Sequence, residues 1–283
     1  AFFMILFYAF HAVLKFEFLE HSANGAGIAL VHSVFNITAT ILLLPFSKGL
    51  EHLAVRTIPD SADSSAEKSR KKTKDEGLRF LDERFLERPA FAVAQSKRAA
   101  FAMAKLVDEA LDISLNLNVA YEKKQYKRVC ELEERADMYE DALGTYLLRL
   151  CTKPLSEQDN HVVTTLLHGI SDLERMADHA LALAETAKRM HKEDVQFSGK
   201  AKAELAVFSQ ALRDILKQTF QAVGRGDVDA AAQVEPLGEV IHDLKEEIRA
   251  NHVRRLAKGK CTIQQGFALT DFVTNGERVA DHC

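Results

Sequence analysis

Two stretches near the end of the chain read alike: DLERMADHA at residues 172–180 and NGERVADHC at residues 275–283. They share the pattern E-R-hydrophobic-A-D-H at an offset of 103 residues, from Glu174 to Glu277. Each copy places a glutamate four residues before an aspartate, and like charges at that spacing on a helix repel each other. The fold and the function have to explain why this unfavourable spacing of like charges occurs in both copies.

The composition is that of a globular and largely helical protein. The 283 residues are 47% hydrophobic and 28% charged, with a formal net charge of −4. Five prolines, 13 glycines and long stretches rich in Ala, Leu, Glu, Lys and Arg favour helices. The mild acidity gives no reason to expect nucleic acid, which favours a basic face. The four cysteines form no CxxC or zinc-like group, which indicates reduced thiols in a reducing compartment.

Two apolar segments lie at the start of the chain. Residues 1–16 are almost wholly apolar, and residues 27–46 are long enough to cross a membrane. We predict two membrane helices, with a buried core hairpin of a soluble protein as the alternative. Ser33, Asn36 and Thr40 fall on one face of the second segment. Polar groups in a membrane span are often functional, so these three are candidates to line a substrate pathway, with helix–helix hydrogen bonding as the alternative.

A polar stretch separates the apolar segments from the remainder. We predict a linker over residues 59–85, because DSADSSAEKSRKKTKDE at residues 60–76 is poor in apolar side chains. Its lysines and arginines indicate the cytoplasmic side of a membrane. We therefore expect a multi-pass protein of the plasma (inner) membrane, with C-terminal transmembrane segments in residues 1–58 and a cytoplasmic bundle in residues 86–283. Since the chain begins inside an apolar run and stops directly after the repeated motif, we expect it to be truncated at both ends.

From Pro89 onward the pattern is helical almost without interruption. Pro89 suits a first helical turn, and Ser156 with Asp159 resembles a capping box. The predicted helices cover 89–118, 124–150, 156–190, a fourth from Ser198 to the GRGD turn, 227–258 and a sixth from about Thr262. Because the second and third helices echo the fifth and sixth at 103–105 residues, we predict an all-α, six-helix bundle made of two three-helix repeats.

Three of the predicted helices carry an acidic pair at the same position beside their apolar seam. At about 100° per residue, the glutamate and aspartate of each pair run along one edge of the seam. The pairs are Glu133 and Asp137 on the second helix, Glu174 and Asp178 on the third, and Glu277 and Asp281 on the sixth. On the fifth helix the matching positions hold Gly238 and His242, which breaks the pattern.

These acidic pairs predict metal binding. Carboxylates clustered on neighbouring helices are costly unless cations neutralise them, and helix bundles build metal sites from facing carboxylates. We predict that the six carboxylates bind divalent or transition metal ions. One alternative is neutralisation by Arg135, Arg175, Arg278 and nearby lysines, and another is a structural bundle without metal. His179 and His282 are expected to be hydrogen-bonding partners of such a site rather than ligands.

The repeated motif resembles that of a known family. DLERMADHA and ERVADH are similar to the repeated D-L-E-R-I-x-D-H signature of PhoU-like domains, which are six-helix bundles of two three-helix repeats. The resemblance covers about residues 86–283 and implies that the six carboxylates are metal-cluster ligands. The sequence departs from the family at Gly238, His242 and Ala182.

The part before the bundle resembles a second family. ALVHSVFNITATILLLPF at residues 29–46, followed by LDERFLERPAFAVAQSKRAAFAMA at residues 81–104, looks like the end of a sodium–phosphate cotransporter domain joined to a PhoU-like tail. This implies uptake of inorganic phosphate with sodium as coupling ion, and a regulatory bundle. The alternative is a soluble or peripheral PhoU-like metal-binding regulator of phosphate uptake. The sequence shows no catalytic constellation, so we expect no enzyme, and the bundle could bind a second copy or a regulatory partner.

Overall fold

The computed structural model describes residues 32–33 and 76–283, and the fold is given for these residues. Residues 76–283 fall within one compact unit and form helices and turns without a strand. Two short 3-10 helices, Glu76–Phe80 and Glu83–Glu87, come first. The six long helices are α1 (Pro89–Leu117), α2 (Lys123–Leu150), α3 (Glu157–Lys192), α4 (Gly199–Arg225), α5 (Val234–Ala257) and α6 (Ile263–Asp281). The predicted all-α bundle is confirmed.

The ends of these helices follow from their capping residues. Ser156 accepts a hydrogen bond from the Asp159 backbone N–H at 3.1 Å and begins α3. Thr262 and Gln265 form a reciprocal capping box at the start of α6. Helix α4 ends at Arg225 and is capped by Gly226, whose φ of 66° lies in the left-handed region that favours glycine. The predicted helix starts near Ser156 and Thr262 are therefore confirmed.

The predicted fifth helix is interrupted. Asp227 does cap a helix, but this helix has only one turn, Val228–Ala231, and α5 begins after it at Val234. Pro236 explains the break, because proline has no N–H to bond to the carbonyl four residues earlier. In the first turn of α5, in contrast, that missing donor costs nothing. The prediction of one continuous helix over 227–258 was wrong at this point.

The core is divided between two three-helix units. Helices α1, α2 and α3 pack on one another around large buried side chains, among them Met103, Leu143 and Ile170. Helices α4, α5 and α6 pack around a second cluster that includes Phe208 and Phe272. The two units meet mainly where α3 packs against α6. This pairing brings the two copies of the repeated motif to the same contact.

The segment before α1 packs on the first unit. Leu78, Phe80 and Leu81 are partly buried against its core, and the hydroxyl of Tyr146 donates to the backbone oxygen of Asp82 at 3.1 Å. Residues 76–85 were predicted as the end of the linker, yet their apolar side chains attach them to the bundle. The remainder of the predicted linker lies outside the described residues.

The two predicted membrane helices belong to the start of the chain. Apart from His32 and Ser33, residues 1–16 and 27–46 lie outside the described residues. Among the residues that are described, no helix has both the length and the apolar character needed to cross a membrane. The two membrane helices therefore stay a prediction.

Replacement of Gly276 by alanine is expected to destabilise the bundle. Gly276 lies in the second motif, and an added Cβ would stand 2.5 Å from Cε1 of Phe208 and 2.8 Å from a methyl of Leu212. Because Phe208 is fully buried and cannot move aside freely, Gly276→Ala should lower the free energy of unfolding by about 1–3 kcal/mol. Urea denaturation measures this loss.

The matched control is Gly238→Ala. Gly238 is also helical, but nothing lies within 4 Å of an added Cβ there. Alanine has the higher helix propensity, so this variant should be as stable as the wild type or more stable. Equal losses in the two variants would contradict the close packing of α6 on α4.

Candidate functional site

The first acidic group lies where α2 packs against α3. Glu133 and Asp137 belong to α2, and Glu174 and Asp178 belong to α3. The two glutamates are half-buried and the two aspartates are exposed. The adjoining residues of the first core are Leu132, Ala136 and Ala177. The acids therefore flank the packed seam of the two helices, at the position that the sequence predicts.

The carboxylates of this first acidic group repel one another. Burial is the main cause that raises the pKa of Glu133 to about 7, and the negative charges of Asp178 and Asp137 act in the same direction. Burial also raises the pKa of Glu174, assisted by Asp178 and Glu140, while the positive charge of Arg175 acts against the rise. Because Asp178 on α3 acts on Glu133 on α2, the acids of both helices share one electrostatic environment.

Within the described part of the chain, no cation is paired with this group. Glu133, Asp137, Glu174 and Asp178 form no ion pair or side-chain hydrogen bond there. In the same residues, no three His, Cys, Asp or Glu side chains stand close enough together to hold a metal ion. The first acidic group offers the oxygen ligands that hard cations prefer. In this structure its side chains are too far apart for three of them to hold one ion. In ligand type and charge it fits a metal site.

The second acidic group, Glu277 and Asp281 on α6, is different because α5 supplies a cation. Nζ of Lys245 lies 2.7 and 2.8 Å from the two carboxylate oxygens of Glu277. Nδ1 of His242 lies 2.7 Å from Oε1 of the same carboxylate. Burial alone would raise the pKa of Glu277, but the hydrogen bonds from Lys245 and His242 lower it. This carboxylate is therefore held in its charged form without a metal.

Asp281 pairs with an arginine of its own helix. Nη1 of Arg278 lies 3.1 Å from Oδ2 of Asp281, and both side chains are exposed. Arg175 occupies the matching position in the first motif, but it forms no ion pair with Asp178 in the described chain. The surface ion pair that was the alternative to metal binding is therefore present in the second motif.

The two motif histidines join the units to each other. Nδ1 of His179 lies 2.9 Å from Oδ1 of Asn275, and Nδ1 of His282 lies 3.1 Å from Oδ1 of Asp172. The two imidazole rings stack, with centroids 5.8 Å apart and planes inclined by 24°. His179 and His282 are equivalent at the offset of 103 residues, and so are their partners Asp172 and Asn275. The two contacts are therefore equivalent. The sequence predicts both as hydrogen-bonding partners of a metal site, whereas in the described structure they bond across the units.

Lys245 was missed by sequence reasoning that compared only acidic positions. The offset of 105 residues that aligns α2 with α5 also aligns Glu140 with Lys245. After burial and Asp178, Glu140 adds to the rise in the pKa of Glu174, whereas Lys245 binds the matching Glu277. An alignment extended three residues beyond Asp137 would have shown that the negative Glu140 of α2 is matched by the positive Lys245 of α5.

The residues predicted for a substrate pathway are almost entirely outside the described range. Ser33 is helical and exposed, while Asn36 and Thr40 are not described. The pathway through these three residues stays a prediction.

The raised pKa of Glu133 predicts a stability that depends on pH in the metal-free protein. The ordinary pKa is 4.5 and the folded value is about 7, so the folded protein binds more protons between these values. The free energy of unfolding should therefore fall as the pH rises from about 4.5 to 7. We expect a fall of about 1 kcal/mol, since partial exposure screens the full effect.

Urea denaturation with a chelator, at pH values from 5 to 8, tests this dependence. Glu133→Gln should remove most of the fall, because the neutral amide does not titrate. Glu131→Gln, an exposed change on the same helix, is the control and should leave the fall unchanged. A Glu133→Gln protein with the same slope as the wild type would contradict the account.

A family model described as the PhoU domain matches residues 102–187 and 206–283. The first range lies in the α1–α3 unit and the second in the α4–α6 unit, so both units are matched. No curated protein matches the sequence. These matches lie in the bundle and give no support to the predicted cotransporter part.

Two solved structures share the fold. The crystal structure of PhoU from Pseudomonas aeruginosa has a TM-score of 0.63 and 18% identity, over 68% of this chain and 91% of that chain. The crystal structure of the phosphate transport system regulatory protein PhoU from Streptococcus pneumoniae has a TM-score of 0.61 and 18% identity, over 69% of this chain and 90% of that chain. At such identity the likeness shows the fold alone. Because the family model matches more than half of the residues, the chain belongs to the PhoU domain family.

Proposed function

We propose that the helical bundle is a regulatory module of phosphate transport that binds a metal ion through its first acidic group. Two findings support a regulatory role: the chain belongs to the PhoU domain family, and a protein of the same fold is named a phosphate transport system regulatory protein. The observation that carries metal binding is the set of carboxylates on α2 and α3, which raise one another's pKa and form no ion pair within the described residues. The role is one of binding and regulation rather than catalysis.

The first acidic group would supply the ligands. Glu133 and Asp137 lie on α2, and Glu174 and Asp178 lie on α3, so metal binding would involve both helices. A divalent cation offsets the repulsion between carboxylates, which removes the cost of keeping Glu133 charged in a half-buried position. The stability of the α2–α3 pair would then depend on the metal supply.

Metal binding should raise the thermal stability of the full chain. After treatment with a chelator and dialysis, Mn²⁺ at about 100 times its dissociation constant should add about 2.7 kcal/mol of stability, which corresponds to several degrees in Tm. Calorimetric titration measures the binding, and differential scanning fluorimetry measures the shift in Tm.

Paired variants test which carboxylates are involved. Glu133→Gln with Asp137→Asn should abolish both the heat of binding and the shift in Tm. Glu239→Gln with Asp243→Asn changes a second E-x-x-x-D pair whose side chains are exposed on α5, and it should bind as the wild type does. If neither Mn²⁺, Zn²⁺ nor Fe²⁺ binds the wild type, or if the two variants behave alike, the metal assignment fails.

The regulatory role predicts a change in phosphate uptake. In the source cells, loss of this chain should alter the rate of uptake of inorganic phosphate, measured with radiolabelled phosphate. Expression of the wild type should restore the rate, whereas the Glu133→Gln, Asp137→Asn protein should restore it incompletely. An unchanged rate in cells that lack the chain would contradict the proposal.

Sodium-dependent phosphate transport by the chain's own membrane part is the second candidate function. The apolar lengths of residues 1–16 and 27–46 favour it, and it would place the bundle on the cytoplasmic side of the plasma membrane. Retention of the chain in membranes after washing with alkaline carbonate would support this candidate. Release into the wash would favour the alternative, a soluble or peripheral regulator.

A further inference from the structure

We propose that the ammonium of Lys245 takes the place of a metal ion in the second three-helix unit, so that the chain binds metal at only one of its two matching acidic groups. This inference rests on the proposed metal binding by the first group. It removes Glu277 and Asp281 from the predicted ligands, because these two carboxylates already have cationic partners within the chain.

The two units differ in charge at three aligned positions of α2 and α5. Three positions of α2 change in α5, at an offset of 105 residues: Glu133 to Gly238, Asp137 to His242, and Glu140 to Lys245. The motif acids themselves are kept at the offset of 103 residues: Glu174 as Glu277, and Asp178 as Asp281. The first unit therefore gathers five carboxylates, whereas the second has two carboxylates, one ammonium and one imidazole.

The contacts of Lys245 occupy the donors of its ammonium group. Nζ lies 2.7 and 2.8 Å from the two oxygens of Glu277 and 3.2 Å from Oε1 of Glu246. An ammonium has three N–H donors, and these three oxygens accept from all of them. The positive charge of Lys245 thus lies beside both carboxylate oxygens of Glu277, which a metal ion would need as ligands.

The pair between Lys245 and Glu277 is also shielded from water. The two side chains are 11% and 15% exposed, unlike most of the surface ion pairs of this bundle. Solvent screens such a pair less than an exposed one, and loss of one partner would leave a charge with little solvent to stabilise it. We therefore expect Lys245 to stay in place when metal is present.

The remaining groups of the second unit do not form a substitute site. His242 uses Nδ1 to contact Glu277 at 2.7 Å, and Asp281 is paired with Arg278 at 3.1 Å. The position that matches Glu133 is Gly238, which has no side chain to offer. A metal ion there would find Glu277 as its one half-buried carboxylate, and it would have to displace Lys245 from it.

The number of Mn²⁺-binding groups in the 283-residue chain tests this inference. Wild-type protein should bind Mn²⁺ at one group, and Glu133→Gln with Asp137→Asn should lose that binding. The combined variant Gly238→Glu, His242→Asp, Lys245→Glu copies the first group into the second unit and should bind at two groups. Mn²⁺ retained by the first-group variant but lost on adding Glu277→Gln would overturn the inference, as would a folded combined variant with no added binding.

A double-mutant cycle without metal keeps the inference testable when the combined variant does not fold. In chelator, Lys245→Met should lower Tm by several degrees in the wild type and by much less in the Glu277→Gln background, because the unpaired carboxylate is then absent. Equal losses in the two backgrounds would overturn the role of Lys245. If the wild type binds no metal while the cycle shows coupling, the proposed metal function fails and the internal pairing by Lys245 stands.

Discussion

The packing of α3 against α6 is the contact on which the remaining structure depends. The repeated motif lies on these two helices, and its residues Ala177 and Ala280 are buried. The histidines that follow them, His179 and His282, stack on each other across the contact and bond to the opposite helix. The motif is written twice because each copy contributes one half of the junction between the units.

The same contact also fixes where the acids of the motif must lie. Because α3 and α6 pack one face against each other, Glu174 lies beside α2 and Glu277 lies beside α5. A half-buried carboxylate at such a position is costly unless a positive charge compensates it. The first unit leaves this charge to a cation from solution in our proposal, and the second unit supplies it from Lys245. One fold thus meets the same electrostatic constraint in two ways.

This difference gives the two units different dependence on their surroundings. An ammonium held by a buried side chain is always present, so the α5–α6 pair keeps its stability whatever the metal supply. The α2–α3 pair carries acids whose pKa is raised, at Glu133 first by burial and then by the neighbouring negative charges. A regulator with one permanent and one metal-dependent unit would respond to metal at a single place in the bundle.

Much of this arrangement can be predicted from the sequence, and the failures have physical causes. Caps such as Ser156 and Thr262 act locally, so the helix starts near them are readable from the sequence. Pro236 also acts locally, but its effect depends on whether it falls inside a helix or in a first turn, and the periodic pattern did not distinguish these. Residues 76–85 looked like a linker because polar residues precede them, while their packing depends on the distant core of the first unit.

The sequence offered Arg278 as a partner of the second acidic pair, as the structure has it, but it did not single out Lys245. Periodicity places Glu277 beside the seam, whereas it does not show which side chain of the neighbouring helix reaches it. Lys245 has a long and flexible side chain, so its pairing with Glu277 appears only once α5 and α6 are packed together. Sequence therefore predicts where charge has to be compensated, and the fold decides what compensates it.

Anomalous X-ray diffraction from crystals of the full chain grown with Mn²⁺ is the most direct measurement of the central claim. We expect anomalous density between Glu133 and Asp137 on α2 and Glu174 and Asp178 on α3. We expect none beside Glu277, where Nζ of Lys245 should be seen instead. Density at Glu277 and Asp281, or its absence at the first acidic group, would contradict the account.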